Sequence, residues 1–218
     1  MYRPPLAAPD FILDLIRHGE PEGGSKYRGT LDDPLSDLGW QQMDNVTRQA
    51  LANGCQWDEI VSSPLQRCRG FAEPLAERLQ LPFLCLPSFQ EMSFGILEGQ
   101  APSSLWNMEP EMMQQLWLNP TENTPPGGES YSKFRTRVTA GLEHLLGHTE
   151  HQHLLLVVHS GTIRMILHLL LGFSMENILR LQIPHAGLSR IKLYNVSQPL
   201  FDGKEWIAEL EYLNRLYG

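Results

Sequence analysis

Two histidines, two arginines and one glutamate each follow a short apolar stretch of the chain. They are Arg17 and His18 after "FILDLI" (11–16), Arg67 in "SSPLQRC" after "DEIV" (58–61), Glu91 in "EMSFG" after "LPFLCL" (81–86), and His159 after "LLLVV" (154–158). A neutral imidazole nitrogen can attack phosphorus, arginines can hold phosphate oxygens, and a carboxylic acid can protonate a leaving oxygen. The combination is typical of phosphoryl transfer through a histidine.

The apolar stretches read as buried strands, and ligands bind beyond the carboxyl ends of strands in a parallel sheet. We therefore expect the five side chains to meet at one rim. Taken alone, His18 could bond a backbone carbonyl and Arg67 could pair with Glu73 or Glu77. It is their joint occurrence after several strands that favours a site. Free amides at the start of the helix after His159 would add an anion site at Ser160 and Gly161.

Helical patterns lie between the strands. Ser36 is a candidate N-cap for a helix stopped by Asn53 and Gly54, and Ser63 is a candidate N-cap with Pro64 at the first helical position. We expect Pro74 to kink or divide this second helix. The alternation predicts an α/β fold, a three-layer α/β/α sandwich with a largely parallel sheet, forming a single domain over 1–218.

Three further stretches complete the predicted architecture. The segment 129–148 is amphipathic, and 160–172 reads as a buried helix ending at Gly172. Two alternating stretches near the C-terminus, joined across "FDGK", predict a hairpin. Residues 91–130 are rich in Pro, Gly, Asn and Met with little periodicity, which indicates an inserted lid or substrate loop.

The ordered blocks "LIRHGE", "PLSDLGWQQ", "SSPLQRC", "EMSFGILEG", "PPGGES" and "LVVHSGTIR" resemble those of the histidine phosphatase superfamily, with its phosphoglycerate mutase-like fold. The resemblance covers roughly residues 11–172. It implies that His18 is the phosphorylated nucleophile, that Arg17 and Arg67 clamp phosphate, that His159 donates to the phosphoryl group, and that Glu91 is acid and base. It implies no metal and no cofactor.

Three positions depart from the family pattern. Gly24 stands where the family often has Asn, so Arg28 or loop amides would have to supply that contact. Ser160 replaces a common Gly, and Gln66 replaces a basic residue. Tyr27, Arg28 and Gly29 are candidate substrate-binding residues, whereas Glu20 and Glu98 are expected to orient their neighbours. Arg164 is expected to face the sheet edge rather than the substrate.

The resemblance favours a phosphatase over a mutase, because the longer basic insertion of the mutases is absent from this sequence. "EMSFG" and "IPHAGLSRI" resemble the α-ribazole phosphatase branch, which acts in assembly of the lower ligand of cobalamin, although sugar phosphatases use similar blocks. Two alternatives stay open. One is a phosphoglycerate mutase, and the other is an inactive relative that binds a phosphorylated ligand.

The composition of the chain limits the kinds of partner that it can bind. The formal net charge of −8 argues against nucleic acid, and no apolar run is long enough for a membrane span. We expect a cytoplasmic protein with a small phosphorylated substrate and with Cys55, Cys68 and Cys85 as reduced thiols. The oligomeric state, a homodimer included, is open.

The segment "GHTEHQH" places His148, His151 and His153 close together. A metal site would need a matched geometry and supporting outer-shell partners. These histidines fall between a helix end and a strand start, on the rim opposite the predicted site. A solvated polar loop is the favoured interpretation.

Overall fold

In the computed structural model, which describes residues 8–148, 151–195 and 206–216, six strands form one sheet. The strands are β1 (Phe11–Arg17), β2 (Glu59–Ser62), β3 (Phe83–Cys85), β4 (His153–Val158), β5 (Leu188–Asn195) and β6 (Trp206–Arg215). Their order is β3-β2-β4-β1-β5-β6. The first four are parallel, whereas β5 runs antiparallel to β1 and β6 antiparallel to β5. The predicted strands and hairpin are confirmed, and the "FDGK" turn lies outside the described residues.

Two pairs of long helices cover the two faces of the sheet. The helices are α1 (Asp37–Ala52), α2 (Gln66–Leu79), α3 (Pro102–Met108), α4 (Pro110–Leu118), α5 (Tyr131–His148), α6 (Ser160–Leu171) and α7 (Met175–Ile178). On β4, Leu154 and Leu156 pack in the core with α5 and α6, while Leu155 and Val157 pack in the core with α1 and α2. This alternation of strand side chains builds the predicted three layers. No helix in the described parts of the chain has the length and apolar character needed to cross a membrane.

The capping residue predicted for α1 is confirmed, whereas the cap and the break predicted for α2 are wrong. Ser36 caps α1 as predicted, because its hydroxyl accepts the Gly39 amide. Ser63 does not cap α2, which begins at Gln66; the Ser63 hydroxyl accepts the Leu65 amide at 3.3 Å and lies 2.7 Å from Nε2 of His159. Pro74 does not divide α2, which is continuous to Leu79, since the helix is held by burial of its apolar face against the sheet.

The segment 91–130 contains the short helices α3 and α4, each opened by a proline. A small apolar cluster of Leu97, Leu105 and Met113 holds this segment together, with Tyr27 and Phe94 packed against it. Helices of 7 and 9 residues are too short to show a clear period in a sequence rich in Pro and Met. We keep the name lid for residues 91–130, and its motion stays a prediction.

Candidate active site

The five predicted catalytic side chains converge at the carboxyl ends of the parallel strands. Arg17 ends β1 and is followed by His18, and His159 directly follows β4. His18, Arg67, Glu91 and His159 are each less than a tenth exposed. The two histidine rings are 5.2 Å apart, and one cavity is lined by His18, both arginines and Glu91. The predicted meeting of these side chains at one rim is confirmed.

The hydrogen bond made by His18 identifies which of its ring nitrogens can act as a nucleophile. Nδ1 lies 2.7 Å from the carbonyl oxygen of Gly19, which can only accept, so Nδ1 carries the proton. Nε2 of the neutral ring then holds the free lone pair. Burial, with Arg17 and Arg67 nearby, lowers the pKa of His18 well below its usual value. The imidazole is therefore neutral, as a nucleophile requires.

Gly19 of the "RHG" sequence is required by packing against α1. A Cβ at Gly19 would lie 2.1 Å from the carbonyl oxygen of Gly39, and a Cβ at Gly39 would lie 2.0 Å from that of Glu20. The first turn of α1 thus presses directly on the backbone that carries His18. The same contact is fixed by Ser36, whose amide and hydroxyl both donate to the Glu20 carbonyl.

His159 lies in a fully buried pocket beside His18. Its Nε2 is 2.7 Å from the Ser63 hydroxyl, and the Cys68 thiol lies 3.6 Å from the same nitrogen. Burial, with Arg67, His18 and Arg17 nearby, lowers the pKa of His159 well below its usual value. A phosphoryl oxygen bound by His159 would have to share or replace the Ser63 hydroxyl. Donation by His159 stays a prediction.

Arg17 and Arg67 are held by backbone carbonyls, yet each has a buried donor without a partner. Arg17 donates to Ile183 and Arg67 donates to Leu31 and Gly29, all through terminal nitrogens. The Nε atoms of both arginines are buried and have no hydrogen-bond partner among the described residues. Burial lowers the pKa of Arg17 to about 10, so it keeps its charge at neutral pH. Two fixed cations with unmatched donors are suited to an anion.

His185 belongs to the site and was not predicted. Its Nε2 accepts a hydrogen bond from Nη2 of Arg17 at 2.9 Å, and its ring lies 5.7 Å from that of His18. Burial, together with Arg17 and Arg28, lowers the pKa of His185 to about 4. The signal available in the sequence is "IPHAG" just before β5, which lies beside β1 in the sheet.

Glu91 is held by the residues around it rather than left free in a loop. Its two carboxylate oxygens accept the amides of Met92 and Gly161. Arg137 donates to the Glu91 carbonyl and forms a bidentate ion pair with Glu129, so α5 fixes the backbone that carries the acid. A Cβ at Gly161 would lie 2.3 Å from the Glu91 carboxylate.

This arrangement corrects one expectation about the start of α6. The Gly161 amide is not a free anion donor, because it positions Glu91. Ser160 and Gly161 do line the cavity, and phosphate binding by the Ser160 amide stays a prediction.

The predicted substrate residues Tyr27, Arg28 and Gly29 all line the cavity. Arg28 donates to Asp33 and to the carbonyls of Glu22 and Gly24, so it braces the loop that lacks the usual asparagine. Their role in binding stays a prediction.

Glu98 joins the two loops that border the cavity. Its carboxylate accepts the amides of Thr30, Leu31 and Phe94 and the hydroxyls of Thr30 and Ser93. The orienting role expected of Glu98 is confirmed. The expectation for Arg164 is wrong, because Arg164 lines the cavity; α6 places it next to the site, where it donates to the Leu181 carbonyl.

The opposite end of the sheet carries a second polar cluster. Asp14, Cys55 and His153 have ligand atoms within 4.8 Å of one another, but Arg190 donates to both oxygens of Asp14. The guanidinium therefore already balances the carboxylate at the place where a cation would bind. The interpretation of a solvated loop is wrong for His153, which begins β4 and bonds Asp14 at 2.9 Å. The side chain of His148 is outside the described part of the structure.

The sandwich and the pair of buried histidines flanked by arginines define an enzyme of phosphoryl transfer. The family model for branch 1 of the histidine phosphatase superfamily matches residues 13–200, and the chain belongs to that superfamily. The chain is a phosphatase, with the phosphoglycerate mutase-like fold that the sequence predicted.

Individual relatives carry several substrate names. "Putative phosphoserine phosphatase 2" of Hydrogenobacter thermophilus is 30% identical over 206 residues, covering 94% of this chain and 95% of the relative. The solved α-ribazole phosphatase of Shigella flexneri is 26% identical with a TM-score of 0.75, covering 94% and 96% of the two chains. The native structure of mycobacterial glucosyl-3-phosphoglycerate phosphatase has a TM-score of 0.80 at 22% identity, covering 95% and 100%, and shows the shared fold.

Proposed function

We propose that this phosphatase hydrolyses a small-molecule phosphate monoester, without a metal, through a phosphohistidine at Nε2 of His18. The observation that carries the proposal is the pair of buried Nε donors of Arg17 and Arg67, which have no partner within the described ranges, beside a histidine held neutral. Buried donors without partners lower stability unless a ligand pairs with them. A phosphoryl group supplies the matching acceptor oxygens and negative charge.

The first chemical step moves the phosphoryl group to the enzyme. The lone pair of Nε2 of His18 attacks phosphorus, and the bond between phosphorus and the alcohol oxygen breaks. Glu91, as a carboxylic acid, gives its proton to the departing oxygen. The arginine donors pair with the phosphoryl oxygens in the transition state, where they contribute most to rate.

The second step releases phosphate with water. Glu91, now a carboxylate, accepts a proton from water while the water oxygen attacks phosphorus. The bond between phosphorus and Nε2 breaks, and its electrons return to the ring of His18. The amides of Met92 and Gly161 hold the carboxylate in one place for both steps.

The candidate substrates are α-ribazole 5'-phosphate and sugar phosphates. The first is supported by the name of the Shigella flexneri relative, and the second by the blocks of sequence that resemble those of sugar phosphatases. We also propose a cytoplasmic location, which the unpaired state of Cys55, Cys68 and Cys85 supports.

The test is to trap the phosphoenzyme. Wild type, His18→Ala and the control His144→Ala, at an exposed position of α5, are mixed with phenyl phosphate in EDTA and quenched in alkali, which preserves phosphohistidine. We expect phosphate release and one added phosphoryl group per chain in wild type and control, and neither in His18→Ala. Turnover by His18→Ala, or loss of activity in EDTA, would overturn the proposal.

The two alternatives give distinct results. A mutase would isomerise 3-phosphoglycerate without releasing phosphate. An inactive relative would bind phosphate and show no turnover of any ester.

A further inference from the structure

The cavity beyond the catalytic residues has walls of apolar and aromatic side chains. The whole cavity, with its catalytic end, encloses about 290 Å³. It is lined from the lid by Phe94, Met113, Leu116 and Trp117, and from α6 and α7 by Met165 and Met175. A cavity of this size lies at the lower end of the range for small-molecule sites. The ester group of a bound substrate would pack against these side chains and lose part of its contact with water.

The cations that line the cavity outside the phosphate clamp each have a carboxylate nearby. Lys26 and Arg28 both pair with Asp33, and Arg164 donates twice to the Leu181 carbonyl. Arg164 also has Glu91 as its nearby opposite charge. A leaving group with a carboxylate would have to displace Asp33 from Lys26 or Arg28, or approach Arg164 next to the like charge of Glu91, and either is costly for a buried charge.

A leaving group with an ammonium is equally poorly matched. Among the described residues that line the cavity, Glu91 is the one carboxylate, and both of its oxygens accept backbone amides. It is also the proton donor of the proposed reaction. Pairing with an ammonium would favour the carboxylate form and oppose its role as an acid.

Aromatic side chains are prominent in the cavity wall. Tyr27 and Phe94 contact each other edge to face, with centroids 5.3 Å apart, and both line the cavity. Trp117 also lines it and is 46% exposed, so a bound ring would cover part of its indole. Stacking and burial of this kind stabilise an aromatic ligand more than a hydroxylated one of similar size.

From these contacts we infer that the leaving group is a neutral alcohol that carries an aromatic ring, rather than a phosphorylated amino acid, hydroxy acid or simple polyol. The inference rests on the proposed function, because it concerns the ester group of the same reaction. The catalytic end sets the phosphoryl chemistry, and the lid, α6 and α7 select the ester.

The test compares four phosphate esters of primary alcohols, so that the chemical step is matched. They are 2-phenylethyl phosphate, glycerol 3-phosphate, O-phosphoserine and 3-phosphoglycerate. We expect kcat/KM for 2-phenylethyl phosphate to exceed that for glycerol 3-phosphate by about tenfold or more, as burial of a phenyl group implies. The two charged esters should fall lower still.

Trp117→Ala should raise KM for 2-phenylethyl phosphate by about tenfold and change glycerol 3-phosphate little, since only the ring contacts the indole. Leu118→Ala is the matched control, because Leu118 is the adjacent, exposed residue of α4. The inference would be overturned by equal kcat/KM values for all four esters or by a higher value for a charged ester. Equal effects of Trp117→Ala on both neutral esters would also overturn it. None of these results would contradict the proposed phosphatase function. Failure to hydrolyse any of the four would overturn the proposed function itself.

Discussion

The two ends of the sheet both bury charge, but they treat it differently. At one end Asp14 is fully buried and accepts hydrogen bonds from Arg190 and Trp57, with His153 beside it. At the other end Arg17 and Arg67 have buried donors for which the described part of the chain offers no partner. A buried charge therefore does not by itself mark a functional site. The unmatched donors mark it, because their cost needs a ligand to offset it.

The pKa values show the same contrast between the two ends of the sheet. Burial would raise the pKa of Asp14, but the hydrogen bonds of Arg190 and His153 outweigh burial and lower it to about 2. Burial and the neighbouring arginines lower the pKa values of His18 and His159. The end with Asp14 thus stabilises an ionised pair. The catalytic end keeps its histidines neutral and leaves its arginines available to a bound anion.

The largest expected effect is loss of activity in Arg67→Met. Removing one fixed cation from the transferring phosphoryl group should lower kcat/KM by about 10³-fold, the scale seen for arginines in phosphoryl transfer. Steady-state kinetics with phenyl phosphate measure it. Arg69→Met is the control, since Arg69 lies on the same helix and pairs with Glu73 in solvent. A loss below tenfold would remove Arg67 from the catalytic end.

The next effect is loss of stability in Asp14→Asn with activity retained. Leaving Arg190 without its buried partner should lower the free energy of unfolding by about 3 kcal/mol, measured by urea unfolding. Activity per folded molecule should stay within about threefold, since the cluster only supports the fold.

The double variant Asp14→Asn with Arg190→Met should recover part of that stability, because it removes the unpaired charge as well. If Asp14→Asn abolished activity in folded protein, the contrast between the two ends would fail.

A smaller effect is stabilisation by inorganic phosphate. At about a hundred times its Kd, phosphate should raise the free energy of unfolding by about 2.7 kcal/mol, because it binds only the folded chain. Thermal unfolding in phosphate against sodium chloride of equal ionic strength measures this. Asp14→Asn should keep the shift and Arg67→Met should lose most of it. An equal shift in both variants would place the anion elsewhere.

The sequence predicted the features that depend on neighbours along the chain. Each parallel strand is a short apolar run that ends in polar residues, so Arg17, His18 and His159 could be assigned to one rim before any coordinates. The cap at Ser36 is local in the same way. Glu91 follows the apolar run 81–86 in the same way, and the superfamily resemblance then gave it the role of acid and base.

Features that depend on distant pairing could not be predicted. Asp14 meets Arg190 because β1 and β5 are antiparallel in one particular register, and a shift by one residue would separate them. His185 reaches Arg17 through the same pairing. Ser63 is not the cap because α2 begins only at Gln66, and the Ser63 hydroxyl lies against His159, 96 positions later in the chain. Each of these needs the three-dimensional arrangement.

The smallest expected effect is a changed pH dependence in His185→Gln. His185 titrates at about 4 when folded against an ordinary value of 6.5, so the unfolded chain binds the proton first as pH falls. Its contribution to stability is complete above pH 6.5 and is lost as pH falls from there to about 4. Gln can accept the same bond from Arg17 but does not titrate, so the variant should lose less stability between pH 7 and pH 4.5.

Urea unfolding at several pH values measures this change, with His144→Gln, an exposed position on α5, run in parallel. The slope of the unfolding free energy against pH should fall only in part in His185→Gln, because His18 and His159 also resist protonation in the folded chain and still contribute to the slope. An unchanged slope would mean that burial and the neighbouring arginines do not lower the pKa of His185. A slope reduced to zero would mean that the catalytic pair titrates normally, and the neutral nucleophile would then lose its physical basis. The pKa of Asp14 lies near 2, so the stability that Asp14 contributes is lost only at lower pH. The contributions of the two ends of the sheet can therefore be distinguished in a single titration.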